Sequence, residues 1–428
     1  MKDSIKDGLL SPALLKDIRD RFFYPDWCPF AGKRIYLEAS GGSLRLKKGV
    51  EAMAREASLP DELFRFNPAS DHVVAVLEKG IEDVKTFLGA KSGSILPGQS
   101  ATHAISRAVN TITEHIPGKN IVTTELEHPA VHSPTQYFAE VRNKEYRTAR
   151  LSKETSSVPA KNVLELIDKE TCVLVLAHAS NQTGAVNDVK TIIQEARKIK
   201  PDLYTVVDAV QYAPHGPIDV EDIGADAYAF GPYKAYGPKG IGFAHLSDRL
   251  SVLPHEKLIG KPENNWVMGS QAQMMYASWS EVVDYLCWLG SHFTESKDRR
   301  KQVVAAKDAI TAHMQALLHR ALYGTGNVSG LLAMDHITVC NMGSPVELSN
   351  RLCIFLFRVN HLDSSKASEF FNKKYGVRVS ARIRDTYSKV PLDAMGWQDA
   401  VRLSSAHYNT PEEFDVFLDA ARKMADET

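Results

Sequence analysis

The 428-residue sequence is poor in cysteine and lacks the common metal-binding motifs. Its five cysteines lie far apart and form no CxxC pair, which argues against a zinc ribbon or a disulfide framework and favours a reducing compartment. Neither an HExxH motif nor an EF-hand loop occurs. His128 and His132 have the i, i+4 spacing of a helical metal pair, but no third ligand is apparent. We therefore expect no metal site.

The sequence also lacks a surplus of charge of either sign, since 51 basic and 52 acidic residues give a net charge of −1. This balance removes the usual electrostatic argument for nucleic acid or an anionic membrane as a partner. The N-terminal stretch MKDSIKDGLLSPALLKDIRDRFF is charged and amphipathic, so it predicts neither a signal peptide nor a membrane span. We expect a cytoplasmic protein that binds neither nucleic acid nor a membrane.

Apolar runs of strand length alternate with longer amphipathic stretches in the first part of the chain. β-Branched runs separated by helical patterns, such as residues 189–200, indicate a largely parallel sheet covered by helices on both faces. The candidate strands are residues 121–126, 172–179, 204–210, 226–231 and 241–246. The predicted fold class is therefore α/β.

The last third of the chain has a different pattern. One long helical stretch is predicted from near Ser278 through residues 295–322. It is followed by HITVCNMG, a strand-like run at 353–359, a helix at 364–376 and a closing helix in TPEEFDVFLDAARKMADE. We predict a large domain at residues 35–285 and a small C-terminal α/β domain at residues 286–428. An N-terminal segment, residues 1–34, is expected to pack with the small domain.

Polar side chains follow the predicted strands, where an open parallel sheet binds its ligand. Asp208 follows the apolar run YTVV, and Lys234 follows the run AYAF in the stiff turn GPYKAYGPKG. Buried charges at such positions need compensation. An ion pair between these two residues is therefore one interpretation.

A pyridoxal phosphate site is the other interpretation. This cofactor needs a lysine for a Schiff base, a carboxylate that keeps its pyridine nitrogen protonated, and donors for its phosphate at a glycine-opened helix N-terminus. Lys234 and Asp208 suit the first two needs, and LPGQSATHAISRAVN at 96–110 suits the third. His128 could stack on the ring, although ordinary hydrogen bonding and helix capping would also explain this histidine and this turn. Neither GxGxxG nor the P-loop motif occurs, so nucleotide sites lack their main signature.

The order of these segments resembles the class V aminotransferase family of fold-type I pyridoxal-phosphate enzymes, a group that includes cysteine desulfurases, C–S lyases and epimerases. The similarity extends from IYLEASGGS at 35–43 to HYNTPEEFD at 407–415. Its most specific stretch, residues 206–242, is similar to the family's D-x-x-Q, P-H-x-P-(I/V)-D-V, Y-K/H-K and Y-G-P-x-G-(I/L)-G segments in unbroken order. The resemblance implies a mainly parallel seven-stranded sheet and a homodimer with shared active sites that acts on a small amino acid.

The resemblance also implies roles for individual residues. Lys234 would form the Schiff base and then move the proton at Cα, with His128 as the second catalytic residue on the ring face. Ser40 and Gly41 would border the substrate, and Arg402 would pair with its α-carboxylate through a planar guanidinium. The cofactor-binding residues would be Gln99, Ser100, His128, Asn181, Asp208, Gln211, Tyr233, Lys234 and, from the partner subunit, Ser270.

The sequence departs from cysteine desulfurases at the residue that carries sulfur in those enzymes. They have a catalytic cysteine shortly before the carboxylate-binding arginine, but residues 375–404 contain none, so persulfide chemistry is not expected. The same region contains Arg378, Arg382, Arg384 and Tyr387. These residues indicate either that the substrate has a second anionic group or that the region is a solvated basic stretch. We predict transamination, with β-elimination, desulfination and epimerisation as the alternatives.

Overall fold

The computed structural model describes residues 5–340, 348–360 and 362–427. Its helices are α1 (Pro12–Asp20), α2 (Lys47–Ala57), α3 (Pro68–Leu88), α4 (Ala101–His115), α5 (Pro129–Val141), α6 (Ala160–Leu164), α7 (Val189–Ile199), α8 (Val220–Ile223), α9 (Asp248–Ser251), α10 (Gln273–Gly290), α11 (Arg299–Tyr323), α12 (Ser364–Tyr375), α13 (Lys389–Met395) and α14 (Pro411–Glu427). Its strands are β1 (Ile5–Lys6), β2 (Leu9–Leu10), β3 (Trp27–Cys28), β4 (Gly32–Lys33), β5 (Ile35–Tyr36), β6 (Ser94–Gly98), β7 (Asn120–Thr124), β8 (Glu145–Ala149), β9 (Thr171–Ala177), β10 (Tyr204–Asp208), β11 (Ala227–Phe230), β12 (Gly242–Leu246), β13 (Gly324–Thr325), β14 (Val328–Ser329), β15 (Ile337–Val339), β16 (Ile354–Val359), β17 (Val377–Arg378), β18 (Ser380–Ile383) and β19 (Asp399–Ser404).

Seven of the described strands form one sheet, in the order β6-β12-β11-β10-β9-β7-β8. β12 runs antiparallel to both of its neighbours, and the other six strands run in one direction. The carboxyl ends of β6, β7, β9, β10 and β11 therefore meet at one edge of the sheet. This arrangement confirms the predicted α/β fold with a mainly parallel seven-stranded sheet.

The central strands are apolar on both faces because each face supports its own core. Val173 and Val175 of β9 pack in one core together with Ile105 of α4. Leu174 and Leu176 of the same strand pack in the core on the opposite face. Full burial of such a side chain is worth about 1.5–3 kcal/mol, so these continuous runs hold the sheet between its two helical layers.

The candidate strands of the sequence correspond to β7, β9, β10, β11 and β12, while β8 escaped prediction. β8 reads EYRTA and lies at the outer edge of the sheet, where most of its residues are only partly buried, so it lacks an apolar run. The single helix predicted from Ser278 onward was wrong, since α10 and α11 are separate. Asp298 begins α11 by accepting a hydrogen bond from the Lys301 amide at 2.8 Å.

A second, antiparallel sheet in the last third of the chain has the order β15-β16-β19-β18. The three-part domain division stays a prediction, and its boundary at 285/286 falls within α10. In the HITVCNMG stretch, Ile337–Val339 form β15, whereas residues 341–343 lie outside the described residues. Among the described helices, none has the length and apolar character needed to cross a membrane.

Candidate active site

A cavity lies at the carboxyl edge of the seven-stranded sheet. Its walls come from the first turn of α4 and from the residues that follow β7, β9, β10 and β11. The polar lining residues are Ser100, Thr102, His128, Asn181, Asp208, Gln211, Tyr233 and Lys234. Residues that are far apart in the sequence therefore meet in one cavity.

Lys234 lies in the turn after β11, and its side chain is buried. Its Nζ donates a hydrogen bond to the backbone carbonyl of Ser40 and lies 4.9 Å from the centroid of the Tyr233 ring. Burial, together with the positive charges of Arg402 and Arg382, lowers the pKa of Lys234 to about 7. A large fraction of the amine is then uncharged at neutral pH, as a nucleophilic amine requires.

The turn that carries Lys234 includes a bulky residue in a left-handed conformation. Tyr236 has a φ of 70°, which for a bulky side chain costs of the order of 1–3 kcal/mol. Its amide donates to Ser43 Oγ at 2.8 Å, and its hydroxyl donates to the Pro214 carbonyl at 2.8 Å. These bonds and the burial of the ring stabilise the turn and fix the direction of Lys234.

Asp208 ends β10 and is buried beside the same cavity. Its Oδ1 accepts a hydrogen bond from the Val210 amide at 2.8 Å, and burial raises the pKa of Asp208 to about 6. Within the described residues, no salt bridge joins Asp208 to Lys234, whose amine bonds to Ser40 instead. The ion-pair interpretation therefore does not describe this site, and the Asp208 carboxylate remains available for a protonated partner.

The N-terminus of α4 forms one end of the cavity. Ser100 caps the helix by accepting a hydrogen bond from the His103 amide at 3.2 Å. A Cβ atom at Gly242 would lie 2.1 Å from the Ala101 amide nitrogen, so only glycine allows the start of β12 to approach this helix so closely. The first-turn residues Ser100 to Thr102 line the cavity, and a helix N-terminus with free amide groups suits a phosphate.

His128 has two roles in the structure. It caps α5, because its Nδ1 accepts a hydrogen bond from the Ala130 amide at 3.0 Å, and its ring also lines the cavity. Burial and the charge of Lys234 lower the pKa of His128 to about 4. The imidazole is therefore neutral at neutral pH and can present its ring face to a flat ligand.

Arg402 lies on β19 and is 1% exposed. One terminal nitrogen donates to the Asn181 carbonyl at 3.0 Å, but the Nε and the other terminal nitrogen are buried and have no hydrogen-bond partner among the described residues. Burial lowers the pKa of Arg402 to about 9, so the guanidinium stays charged at neutral pH. Unpaired donors on a buried charge are costly, which suits a group that binds an anion.

Some predicted site residues lie outside the cavity. Gln99 is exposed and does not line it, and Gly41 lines a neighbouring cleft instead. Ser40 is buried between the two, where its carbonyl accepts hydrogen bonds from Lys234 and Gln211. Ser270 lines a separate groove; its predicted role requires a partner subunit and stays a prediction.

Sequence reasoning missed two buried polar residues at the site. Glu127 accepts hydrogen bonds from Thr124 Oγ1 and from the Ala177 amide, both at 2.7 Å, and burial raises the pKa of Glu127 to about 8. Gln182 donates to the Tyr387 carbonyl at 3.2 Å and so joins the arginine-rich segment to the segment of Asn181. Their positions beside His128 and Asn181 were the only signal in the sequence.

Comparison with known proteins places the chain in a family. The model of the aminotransferase class-V family matches residues 35–277. The chain belongs to this family.

Cysteine desulfurase from Pectobacterium carotovorum is 32% identical over 232 residues, which cover 51% of this chain and 54% of that enzyme. This chain thus spans about half the length of that curated relative. The aminotransferase-like protein FGM3 from Gibberella zeae is 25% identical over 403 residues, which cover 90% of this chain and 93% of the relative.

A solved structure shows the same fold. The cysteine desulfurase from Thermococcus onnurineus NA1 superimposes with a TM-score of 0.80 and covers 96% of this class V chain and 98% of its own. The sequences are 19% identical, so this likeness establishes the fold. Together with the family, it confirms the predicted fold-type I architecture.

The class V protein is a pyridoxal 5′-phosphate-dependent enzyme. Its cavity fits this cofactor on the chemistry of its donors. Lys234 offers an amine, Asp208 offers a buried carboxylate that lines the cavity, and the N-terminus of α4 offers amide donors for a phosphate.

Proposed function

We propose that this enzyme is an aminotransferase, which moves the amino group of an amino acid to a 2-oxo acid. The observation that carries the proposal is the position of Arg402, which bonds to Asn181 of the cavity lining and has two further buried nitrogens without a partner among the described residues. A cysteine that could accept sulfur is missing from residues 375–404 and from the described lining of the cavity.

Bound pyridoxal phosphate supplies an aldehyde and an electron-withdrawing ring, which acidify the Cα–H bond of an attached amino acid. Lys234 is the group that takes and returns this proton. With a pKa of about 7 its amine is partly uncharged at neutral pH, so it can accept a proton and later donate it.

The remaining residues orient the cofactor and the substrate. Asp208 would accept a hydrogen bond from the protonated pyridine nitrogen, Gln211 would bind the phenolic oxygen, and the amide groups at the start of α4 would bind the phosphate. Arg402 holds the α-carboxylate of the substrate with two parallel hydrogen bonds. This contact would hold the substrate in one orientation beside Lys234.

Incubation of the purified holoenzyme with single amino acids tests the reaction type. Conversion of the cofactor to its pyridoxamine form, with release of a 2-oxo acid, is the expected result. Release of sulfide from cysteine would contradict the proposal and indicate elimination, and release of sulfite from cysteine sulfinate would indicate desulfination. Loss of the optical activity of the amino acid without formation of a 2-oxo acid would indicate epimerisation.

We further propose a cytoplasmic homodimer in which Ser270 reaches the phosphate of the other subunit. The supporting observation is that exposed apolar side chains, those of Phe64 and Leu258, line the groove that contains Ser270. Mixing inactive Lys234→Ala subunits with inactive Ser270→Asp subunits should restore activity, because each mixed dimer then has one intact site. No recovery in a mixture shown to exchange subunits would contradict shared sites.

A further inference from the structure

A second guanidinium lies beside Arg402. Arg382 of β18 pairs with Ala400 of β19, and Ser380 pairs with Arg402. Directly opposed residues of an antiparallel pair share a face, so Arg382 and Arg402 are diagonal neighbours on one face of this sheet. Diagonal neighbours are roughly 7–8 Å apart, which long side chains can bridge toward a common ligand.

Arg382 has spare hydrogen-bond donors. Its side chain makes no salt bridge or hydrogen bond within residues 5–340, 348–360 and 362–427, and its Nε is buried without a partner. The acidic residues near it are Glu38 and Asp385. The Asp385 carboxylate already accepts the amides of Tyr387 and Ser388, each at 2.9 Å. Of these two carboxylates, Glu38 has the larger influence on the Arg382 guanidinium, so among the described residues it is the main competing partner.

The position of Arg382 distinguishes it from the next arginine along the chain. The positive charge of Arg382 acts on both Lys234 and His128, whose pKa values it helps to lower, so this guanidinium lies near the cavity. Arg384 instead forms a salt bridge with Asp393 at 2.5 Å. Arg384 thus has an acidic partner, whereas Arg382 has none within the described residues, so the two alternatives for this basic segment apply to different arginines.

We propose that Arg382 binds a second anionic group of the substrate, so that this enzyme acts on amino acids with an acidic side chain and on the corresponding 2-oxo acids. This inference rests on the proposed function. Arg402 holds the α-carboxylate, and Arg382 holds the side-chain anion. Carboxylate and sulfinate side chains carry the same charge, so turnover assays with both kinds of substrate are needed to show which of the two the enzyme accepts.

Binding of unreactive carboxylates to the holoenzyme tests the inference without catalysis. Maleate or succinate, compared with the monocarboxylate butyrate, is titrated while the absorbance of the cofactor is recorded. We expect tighter binding of the dicarboxylates, and we expect Arg382→Gln to lose that preference by about tenfold or more, as for a charge-assisted hydrogen bond. Arg384→Gln is the matched control with the same loss of charge and should keep it. Equal binding of both ligand types, or equal loss in both variants, would overturn the inference.

The competing role of Arg382 is to neutralise Glu38. If that were its function, the dianion would bind weakly to Arg382→Gln because of the uncompensated Glu38 charge, and Glu38→Gln/Arg382→Gln would recover the dicarboxylate preference. We expect no recovery in the double variant. Full recovery would refute binding by Arg382.

Turnover then defines the side-chain group. The kcat/KM values for aspartate and glutamate should exceed those for asparagine and glutamine, and cysteine sulfinate tests whether a sulfinate replaces the carboxylate. Arg382→Gln should lower only the values for acidic substrates. Dicarboxylate binding with no 2-oxo acid product would refute the aminotransferase proposal alone, whereas transamination of neutral amino acids in preference would refute this inference alone.

Discussion

Lys234 and Lys307 are both buried, and burial lowers the pKa of each to about 7. Lys307 lies within α11, where its Nζ donates to the Ala213 carbonyl at 2.5 Å and lies 4.8 Å from the centroid of the Phe87 ring. Lys234 lies in a turn at the carboxyl edge of the sheet and lines a cavity with Asp208. A perturbed pKa therefore marks burial, and the cavity and its acidic neighbour are what support our proposal that Lys234, rather than Lys307, is the reactive lysine.

The largest expected effect is that of Lys234→Ala. Removal of the amine should lower the turnover of amino acids by about a thousandfold or more and abolish the visible absorbance band of the lysine-bound cofactor. Lys307→Met is the matched control, since it removes an equally buried ammonium away from the cavity, and it should keep both. A full absorbance band in Lys234→Ala would contradict the assignment.

Arg402→Gln tests whether Arg402 binds the α-carboxylate of the substrate, and it should have the next largest effect. Loss of two charge-assisted hydrogen bonds to the α-carboxylate should reduce kcat/KM by about a hundredfold, while the absorbance of the bound cofactor persists. Steady-state kinetics with one amino acid measure the loss, and amines without an α-carboxylate serve as control substrates. An equal loss for those amines would show that Arg402 acts on something other than the carboxylate.

Lys307→Met should stabilise the protein at neutral pH by roughly 2–4 kcal/mol. The pKa of Lys307 is lowered from 10.5 to about 7, so the unfolded chain binds the proton first as the pH falls. Wild-type stability from this group is complete above about pH 10.5 and is lost down to about pH 7. The advantage of the variant should therefore grow as the pH falls through that window. Denaturant unfolding at both ends measures it, and an advantage that does not depend on pH would contradict the cause.

The smallest predicted effect concerns the rate at which the apoprotein binds pyridoxal phosphate. This rate should rise with pH through about 7, because only the uncharged Lys234 amine attacks the aldehyde. In Arg402→Gln one positive neighbour is lost, so the midpoint should move upward by about one pH unit or less. Stopped-flow absorbance follows the reaction. A midpoint that stays in place, or moves downward, would show that Arg402 does not act on this amine.

Much of the fold and part of the site could be predicted because both follow from local pattern. Strands buried on both faces must be apolar throughout, as β9 and β10 are. The edge strand β8 and the break between α10 and α11 were missed, since an exposed edge needs no apolar run and a capping Asp298 resembles any exposed acid. Gln99 illustrates the same limit, because a place in a motif does not determine which way a side chain points.

The sequence by itself determined that Asp208 and Lys234 follow apolar strands and so lie at the same edge of a parallel sheet. The tertiary structure alone decided that Lys234 bonds to Ser40, 194 residues away, and that its pKa falls to about 7. It also decided, through the register of β18 and β19, that Arg382 and Arg402 share a face while Arg384 pairs with Asp393. Strand pattern is a property of neighbouring residues, whereas burial, charge and register depend on segments that only folding brings together.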